Sequence, residues 1–295
     1  MPNAAPGTVV AVLGAGGTMG RGISSNLAAA GFGVRAWNRS PEKLEDLASS
    51  DGITTCATVA EAVAGADYLL TILSDADATL GVFEGEDSAA AAAAGTVWIQ
   101  TGTIGLDGTA RCEAVAAAND LVFVDSPVLG TKKPAEEGQL VVLASGPDEA
   151  RAAVEPIFDA VGKRTLWLGL SGAGSRTKIV VNSWIVSVVE GAAEMIALAK
   201  AIDVDPLQAL DAISGGPLDL PYLQMKAKAM IEGDFTPSFQ LKLAAKDADL
   251  AVQAAEGAGL RLPMLEAIAV EMAVAAVEHG DEDLAAVYRA IDSID

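Results

Sequence analysis

A glycine-rich loop near the N-terminus constrains the fold of this chain more than any other stretch. The apolar run at residues 8–13 ends at Gly14-Ala-Gly-Gly-Thr-Met-Gly20, and an amphipathic helical pattern then continues to about residue 30. A second apolar run follows at residues 33–37. A buried strand, a glycine turn, a helix and a second strand within about 30 residues make a βαβ unit. The sequence therefore predicts a parallel sheet with helices on its faces.

The same loop predicts a dinucleotide site. At the start of a helix, the backbone N–H groups of such a turn can approach a pyrophosphate, and the positive end of the helix adds to the attraction. Gly14 and Gly16 fit the pattern G-x-G-x-x-G, but its sixth position is Met19 and the glycine comes one residue later. Either the loop carries a one-residue insertion or Gly17 takes over part of the role. The predicted cofactor residues here are Gly14, Gly16, Gly17, Thr18 and Met19.

The end of the second predicted strand bears on cofactor choice. A carboxylate at this point would bind the adenosine ribose of NAD, but the chain has Asn38-Arg39-Ser40. Arg39 can pair with a 2′-phosphate, and Asn38 and Ser40 can donate hydrogen bonds, so NADPH is favoured, with NADH still possible. A helix N-cap, with Ser40 before Pro41, next to a surface arginine is an alternative interpretation, and both can hold together.

Strand and helix patterns continue to alternate up to about residue 169. Further strands are predicted near 67–73, 96–100, 121–124, 139–144 and 165–168, and helices near 40–48, 58–63, 106–118 and 148–161. The alanine-rich segment 88–94 is also predicted to be a helix. Beyond this point only helical periodicity remains. We therefore predict an α/β fold with a Rossmann-type doubly wound sheet over residues 1–169 and an all-α domain over residues 170–295, joined by a long interdomain helix.

Composition narrows the classes of partner. With 19 basic and 40 acidic residues the formal charge is −21, and no basic stripe is present, which argues against nucleic acid and anionic membrane surfaces. One histidine and two cysteines argue against a metal centre and a disulfide framework. The N-terminal stretch lacks the pattern of a secretory signal, so we expect a cytoplasmic protein. Polar residues such as Glu190 and Glu194 are expected to break any membrane-length apolar run.

The long helix opens with Gly172-x-Gly174-x-x-x-Lys178-x-x-x-Asn182. Residues four apart share a helix face, so Lys178 and Asn182 point the same way. A lysine at a helix end is more often solvated than catalytic, but the nucleotide loop upstream and the position at a domain junction favour a catalytic role. A positioned ammonium stabilises the negative charge that forms on a carbonyl oxygen during hydride transfer, and it can supply the proton.

With these residues in place, the chain resembles the β-hydroxyacid dehydrogenase family, which includes 3-hydroxyisobutyrate dehydrogenases and glyoxylate/succinic semialdehyde reductases. The resemblance covers nearly the whole length. It rests on five segments in order, which are Met19-Gly20, residues 101–104 (TGTI), residues 125–131 (DSPVLGT), residues 172–182 and residues 246–251 (KDADLA).

The resemblance implies a role for each matching residue. Lys178 would be the general acid/base, and Asn182 would hold the substrate beside it. Thr103 would contact the nicotinamide end of the cofactor, and Lys246 would lie over the cofactor. Leu73-Ser74 would pack against the nicotinamide. A homodimer or homotetramer is expected.

The substrate turn departs from the family pattern. The turn that would cradle the substrate carboxylate usually reads Ser-Gly-Gly, whereas here it is Leu129-Gly130-Thr131. A hydroxyl is lost at one position and gained two residues later, which predicts a reshaped pocket for a small carboxylate-bearing substrate. Lys132-Lys133, next in the chain, either adds positive potential for that carboxylate or is an exposed loop pair.

Three other interpretations share this architecture. Imine reductases and non-catalytic nucleotide-binding scaffolds of this type generally lack the catalytic lysine, so Lys178 argues against both. A 6-phosphogluconate dehydrogenase would need a longer helical domain and more phosphate-binding cations.

Four large apolar residues near the predicted site are expected to be mostly core residues, namely Phe235, Phe239, Leu241 and Trp184. Phe239 is the best candidate for a pocket wall.

Overall fold

The computed structural model describes residues 7–292, which pack into two compact units, one ending at Lys178 and the other beginning at Ile179. A six-stranded sheet forms the centre of the first unit. Its strands are β1 Val9–Leu13, β2 Gly33–Trp37, β3 Ile53–Thr55, β4 Tyr68–Thr71, β5 Val97–Gln100 and β6 Val122–Asp125. Their order is β3-β2-β1-β4-β5-β6, and all neighbours are parallel. The predicted Rossmann-type doubly wound sheet is confirmed.

Alternating side chains of β1 enter two different cores. Val10 and Val12 are fully buried in the cluster that includes Ile23, whereas Ala11 and Leu13 belong to the cluster around Trp98 on the other face. Both faces of β1 are therefore covered, which is why the run at residues 8–13 is apolar without alternation.

The first unit contains the helices α1 Thr18–Ala29, α2 Glu45–Ala48, α3 Val59–Val63, α4 Ala76–Gly81, α5 Gly105–Ala118, α6 Lys132–Glu136 and α7 Asp148–Val161.

A second, three-stranded sheet accompanies the first. It consists of β7 Val128–Leu129, β8 Leu140–Ala144 and β9 Gly162–Trp167. β7 is antiparallel to β8, and β9 is parallel to it. The strands predicted near 139–144 and 165–168 belong to this sheet rather than to the large one. The short strands β3 and β7 were not predicted.

The alanine-rich segment 88–94 corrects one prediction. Only a 3₁₀ turn at Ala89–Ala91 forms, and Ala92 is already extended, with φ −64° and ψ 145°. Alanine has the best helix propensity, but seven residues are too few to offset the cost of helix nucleation unless packing supports them. The predicted helix is therefore wrong here.

Helices make up the second unit. α8 Ala173–Ala201 begins in the first unit and continues through 29 residues. It is followed by α9 Pro206–Ile213, α10 Pro221–Glu232, α11 Leu241–Gly257, α12 Pro263–His279 and α13 Tyr288–Asp292. No strand occurs among residues 179–292. The predicted helical C-terminal region and its long leading helix are confirmed.

α8 also corrects two expectations. Trp184 is 61% exposed and is not a core residue, whereas Leu241 is fully buried and Phe235 and Phe239 are partly buried. By length and composition alone α8 is apolar enough to cross a membrane, with a mean hydropathy of 1.5, so its carboxylates do not break the run. Core helices of folded proteins meet the same criterion, and 44% of the window is buried within the protein.

Candidate active site

The glycine loop after β1 packs closely against the end of β4 and the first turn of α1. Gly14 has φ +99°, and a Cβ atom on it would lie 2.2 Å from the Ile72 carbonyl oxygen. A Cβ atom on Gly20 would lie 2.1 Å from the Gly14 carbonyl oxygen. Gly20 therefore packs the helix onto the loop, as the third glycine of this motif does. The loop carries one extra residue, and Gly17 closes it by donating its N–H to Gly14 O at 3.1 Å.

The first turn of α1 presents hydrogen-bond donors to the region beyond the sheet. The helix begins at Thr18 and Met19, and its N-cap residue is Gly17, which has no side chain to cap them. First-turn N–H groups have no partner within their own helix. This arrangement suits a phosphate group.

The end of β2 lies directly beside this loop. The Trp37 carbonyl oxygen accepts hydrogen bonds from Gly14 N at 2.9 Å and Ala15 N at 3.1 Å. A Cβ atom on Gly16 would lie 2.9 Å from Asn38 Cγ and 2.7 Å from Lys43 Cβ. The Asn38 side chain donates to Ser40 O at 3.0 Å.

Arg39 and Lys43 place two exposed cations at this edge. Lys43 was not predicted to be a cofactor residue, although it follows Arg39 by four residues in the sequence. Ser40 begins the 3₁₀ turn Pro41–Leu44, but its side chain caps none of the described N–H groups. The N-cap interpretation of Ser40 thus holds for its position and not for its hydroxyl.

The ends of β4 and β5 complete the edge. Leu73 lies between the two turns, because a Cβ atom on Gly14 would be 3.1 Å from Leu73 Cδ2 and one on Gly102 would be 2.7 Å from Leu73 O. The Gln100 side chain fixes the second turn by accepting from Gly102 N at 2.7 Å and donating to Gly102 O at 2.8 Å. Thr103 follows, half-buried. Ser74 is exposed and donates to Asp75 Oδ2 at 2.7 Å.

The predicted substrate turn connects β7 to α6. Leu129 ends β7 and is half-buried, and Thr131 is the N-cap residue of α6, where its hydroxyl bonds to none of the described first-turn N–H groups. Gly130 between them has φ +124°, and a Cβ atom on it would lie 2.8 Å from Leu140 Cδ2. Lys132 and Lys133 are exposed on α6, and Lys133 pairs with Glu137 at 3.8 Å.

Asp125, at the end of β6, holds the first turn of α8. Its carboxylate is fully buried and accepts a hydrogen bond from Ser175 N at 2.8 Å. Ser175 Oγ lies 2.7 Å from Asp125 Oδ1, and Ser145 Oγ lies 3.1 Å from Asp125 Oδ2. Gly174 allows this approach, because a Cβ atom on it would be 2.2 Å from Leu143 O. Burial raises the pKa of Asp125, and hydrogen bonds from Ser175 and Ser145 only partly oppose the rise.

One turn further along α8 stand the two residues predicted to be catalytic. Lys178 is half-buried, and Asn182 is 1% exposed. Asn182 Nδ2 donates to Asp247 Oδ2 at 2.6 Å. Because an ionised carboxylate can only accept, the amide nitrogen must face Asp247, which leaves Asn182 Oδ1 on the other side. That oxygen is buried and has no hydrogen-bond partner among the described residues.

Asp247 also contacts the neighbouring cation on α11. Lys246 Nζ lies 2.8 Å from Asp247 Oδ1, and Asp247 is itself buried. Asp247 lies within the segment 246–251, but no local pattern predicts its contact with Asn182, which is 65 residues away in the chain. Lys242, on the same helix, is half-exposed and pairs with Asp281 at 2.5 Å. Within residues 7–292, no cluster of three histidine, cysteine or acidic side chains could hold a metal ion.

Family models and a curated relative match both units of the chain. The family model for the NAD-binding domain of 6-phosphogluconate dehydrogenase matches residues 9–169, and that for the NAD-binding domain of NADP-dependent 3-hydroxyisobutyrate dehydrogenase matches residues 172–291. Glyoxylate/succinic semialdehyde reductase 1 of Arabidopsis thaliana is 31% identical over 277 residues, which cover 93% of this chain and 96% of that protein.

A second curated protein and a solved structure also match most of the chain. The cytokine-like nuclear factor N-PAC of Homo sapiens is 30% identical over 93% of this chain and 50% of its own length. A solved structure of 3-hydroxyisobutyrate dehydrogenase from Mycobacterium tuberculosis with L-serine has a TM-score of 0.86 and 26% identity, covering 97% of this chain and 100% of that one. The glycine loop, the helix bearing Lys178 and these matches over both units together show that the chain belongs to the β-hydroxyacid dehydrogenase family of NAD(P)-dependent dehydrogenases and reductases.

Proposed function

We propose that this protein is an NADPH-preferring reductase of a small carboxylate-bearing semialdehyde or keto acid, which in the reverse direction oxidises the matching hydroxy acid. The observation that carries the proposal is the helix α8, which presents a half-buried Lys178 one turn before a buried Asn182 with an unpartnered amide oxygen. A lysine in that setting can exchange a proton with a carbonyl or hydroxyl oxygen.

The residues at the sheet edge fit a dinucleotide. Gly14, Gly16 and Gly17 allow the loop to pack closely against neighbouring protein atoms at the start of α1, and the N–H groups of Thr18 and Met19 in its first turn would bind the pyrophosphate. Arg39, with Lys43 nearby, would pair with a 2′-phosphate, and Asn38 and Ser40 would flank it. Leu73, Ser74 and Thr103 would line the nicotinamide end, and Lys246 would lie over the cofactor. When bound, the nicotinamide supplies or accepts the hydride.

Lys178 and Asn182 would then interact with the substrate oxygen on which charge changes during hydride transfer. During reduction, Lys178 Nζ gives a proton to the carbonyl oxygen as the hydride arrives, and during oxidation it removes the hydroxyl proton. Asn182 Oδ1 would accept a hydrogen bond from that hydroxyl or from the ammonium group. Asp247 would keep the amide in this orientation. Leu129, Gly130 and Thr131 would form the turn that recognises the substrate carboxylate.

Lys178 also separates this proposal from its alternatives. An imine reductase-like enzyme or a nucleotide-binding scaffold would not require a lysine at this position. N-PAC of Homo sapiens, which is named as a nuclear factor rather than as a dehydrogenase, matches this chain along half of its own length, so a non-catalytic nucleotide-binding role is an alternative candidate beside an imine reductase-like enzyme. We further propose a cytoplasmic homodimer or homotetramer.

The deciding experiment is a spectrophotometric panel of semialdehydes, glyoxylate and hydroxy acids with NADPH and NADH. Lys178→Ala should lower kcat by at least about a hundredfold on the best substrate, since general acid/base groups contribute about that much. The matched control is Lys228→Ala, an exposed lysine that pairs with Glu232 at 3.6 Å. Near-normal turnover in Lys178→Ala, or no turnover by wild type with any of these substrates, would overturn the proposal.

A further inference from the structure

Four oxygen atoms in the first unit form a chain from the start of α8 to the start of α5. Asp125 Oδ1 lies 2.7 Å from Ser175 Oγ, which lies 2.9 Å from Thr109 Oγ1, which lies 2.8 Å from Gly105 O. Asp125, Ser175 and Thr109 are 0%, 4% and 2% exposed, and Gly105 is buried. These four oxygen atoms are thus shielded from solvent, and the hydrogens of their hydrogen bonds must come from the residues themselves.

A count of those hydrogens favours a protonated Asp125. Three short contacts need three hydrogens, one in each gap. The hydroxyls of Ser175 and Thr109 supply one each, and the Gly105 carbonyl supplies none. If Asp125 were ionised, one pair of oxygens at hydrogen-bonding distance would face each other with no hydrogen between them. If Asp125 carries a proton on Oδ1, it donates to Ser175, Ser175 donates to Thr109, and Thr109 donates to Gly105.

The second oxygen of Asp125 fits the acceptor half of a carboxylic acid. Oδ2 accepts from Ser175 N at 2.8 Å and from Ser145 Oγ at 3.1 Å, and Ser145 Oγ itself accepts from Gly174 N at 2.9 Å. All of these contacts are therefore satisfied by a neutral side chain.

Among the described titratable groups near Asp125, only one carries a charge that opposes protonation. Cys112 of α5 and Arg176 of α8 are the titratable neighbours that act on Asp125. Burial raises the pKa of Cys112 to about 12, so the thiol is neutral. Burial also raises the pKa of Asp125, and the charge of the exposed Arg176 is the smallest of the opposing effects.

We propose that Asp125 carries a proton in the folded protein and acts through Ser175 and Thr109 as a positioning residue for Lys178. Ser175 lies three residues before Lys178 on α8, and Gly105 lies two residues after Thr103. The hydrogen-bonded chain would hold the helix that carries the acid/base group against the turn that carries the nicotinamide contact. The positioning role rests on the proposed function, whereas the protonation does not.

The protonation is tested with Asp125→Asn, since an amide can donate to Ser175 Oγ as a carboxylic acid does. The infrared difference spectrum at pH 7 between wild type and Asp125→Asn should contain the C=O band of a protonated carboxylic acid, shifted in D₂O. In thermal melts, Asp125→Asn should gain stability relative to wild type as the pH rises above the ordinary carboxyl value of 3.8, because a raised folded-state pKa makes wild type lose stability there. A missing band, or a variant that loses stability relative to wild type with rising pH, would overturn the protonation.

The positioning role is tested with a matched pair at Thr109. Thr109→Val removes the hydroxyl at constant shape and should lower kcat about tenfold with an unchanged KM for NADPH, which corresponds to about 1.4 kcal/mol in the transition state. Thr109→Ser keeps the hydroxyl and should stay within about twofold of wild type. Equal kcat values for the two variants, or equal losses in kcat and cofactor affinity, would overturn the role. Absence of turnover in wild type would remove the proposed function and the positioning role together, while the infrared band would still decide the protonation.

Discussion

The hydrogen bond between Asn182 and Asp247 is the contact in the second unit whose loss should be most informative. The donor and acceptor are 2.6 Å apart, and the residues are 1% and 4% exposed. A hydrogen bond to a charged group contributes about 1.5–3 kcal/mol, and removing one partner leaves the other buried and unsatisfied. We therefore expect Asp247→Ala and Asn182→Ala each to lower the free energy of unfolding by about 2–3 kcal/mol. The double variant should lose much less than the sum, with a coupling energy of about 2 kcal/mol.

Urea denaturation at pH 7 measures all four corners of this cycle. The control cycle is Lys246→Ala with Asp247→Ala, since the Lys246 side chain is 24% exposed and its ion pair should couple by only about 1 kcal/mol or less. Kinetics gives a second measure, because Asp247→Ala frees the amide of Asn182 to rotate and should lower kcat by about tenfold or more. A coupling energy below about 0.5 kcal/mol between Asn182 and Asp247 would refute the assignment of the amide orientation.

Three other perturbations test separate parts of the molecule. Gly20→Ala places a Cβ atom 2.1 Å from Gly14 O, so it should destabilise the protein by about 3 kcal/mol in thermal melts and weaken binding in cofactor titrations. The control is Gly81→Ala, on a helix with open space around it, which should change neither measurement. Arg39→Glu should raise the apparent KM for NADPH at least about tenfold and leave that for NADH within about threefold, and an equal effect on both would contradict the 2′-phosphate role. Burial, followed by the charges of Glu194 and Glu271, raises the pKa of Glu190 to about 7. Wild type should therefore lose stability as the pH rises from the ordinary glutamate value of 4.5 through about 7. Glu190→Gln should remove up to about 3 kcal/mol of that loss between pH 5 and pH 8. Parallel stability profiles of wild type and variant against pH would disprove the raised pKa of Glu190.

Periodicity and glycine spacing predicted the doubly wound sheet and the helical C-terminal region, but not the separate three-stranded sheet. The buried run at residues 8–13, the loop ending at Gly20 and the long helix with Lys178 each leave a local signal, since strand burial, close backbone approach and helical repeat all act over a few residues. The alanine segment 88–94 shows the limit of that reasoning. Its propensity is high, but the local packing around Ala89 decides its conformation.

The contacts that position the site could not be predicted from local patterns. Asp125 lies 50 residues before Ser175, and Asn182 lies 65 residues before Asp247. Nothing in the sequence alone relates the members of either pair, because the contact exists only when the sheet and helices have formed. The choice between Gly17 and Gly20 as the third glycine of the loop likewise needed the packing distance to Gly14.

The turn at residues 129–131 restricts how this scaffold can diversify. Gly130 combines φ +124° with a Cβ position 2.8 Å from Leu140, so a side chain there is opposed both by the backbone conformation and by the core beneath it. Leu129 and Thr131 are not fixed in this way: the first is half-buried in a two-residue strand, and the hydroxyl of the second has no capping role among the described residues. Single substitutions that alter the chemistry of this turn while preserving its shape are therefore confined to the two positions on either side of the glycine. A library directed at positions 129 and 131 samples that range without disturbing the fold.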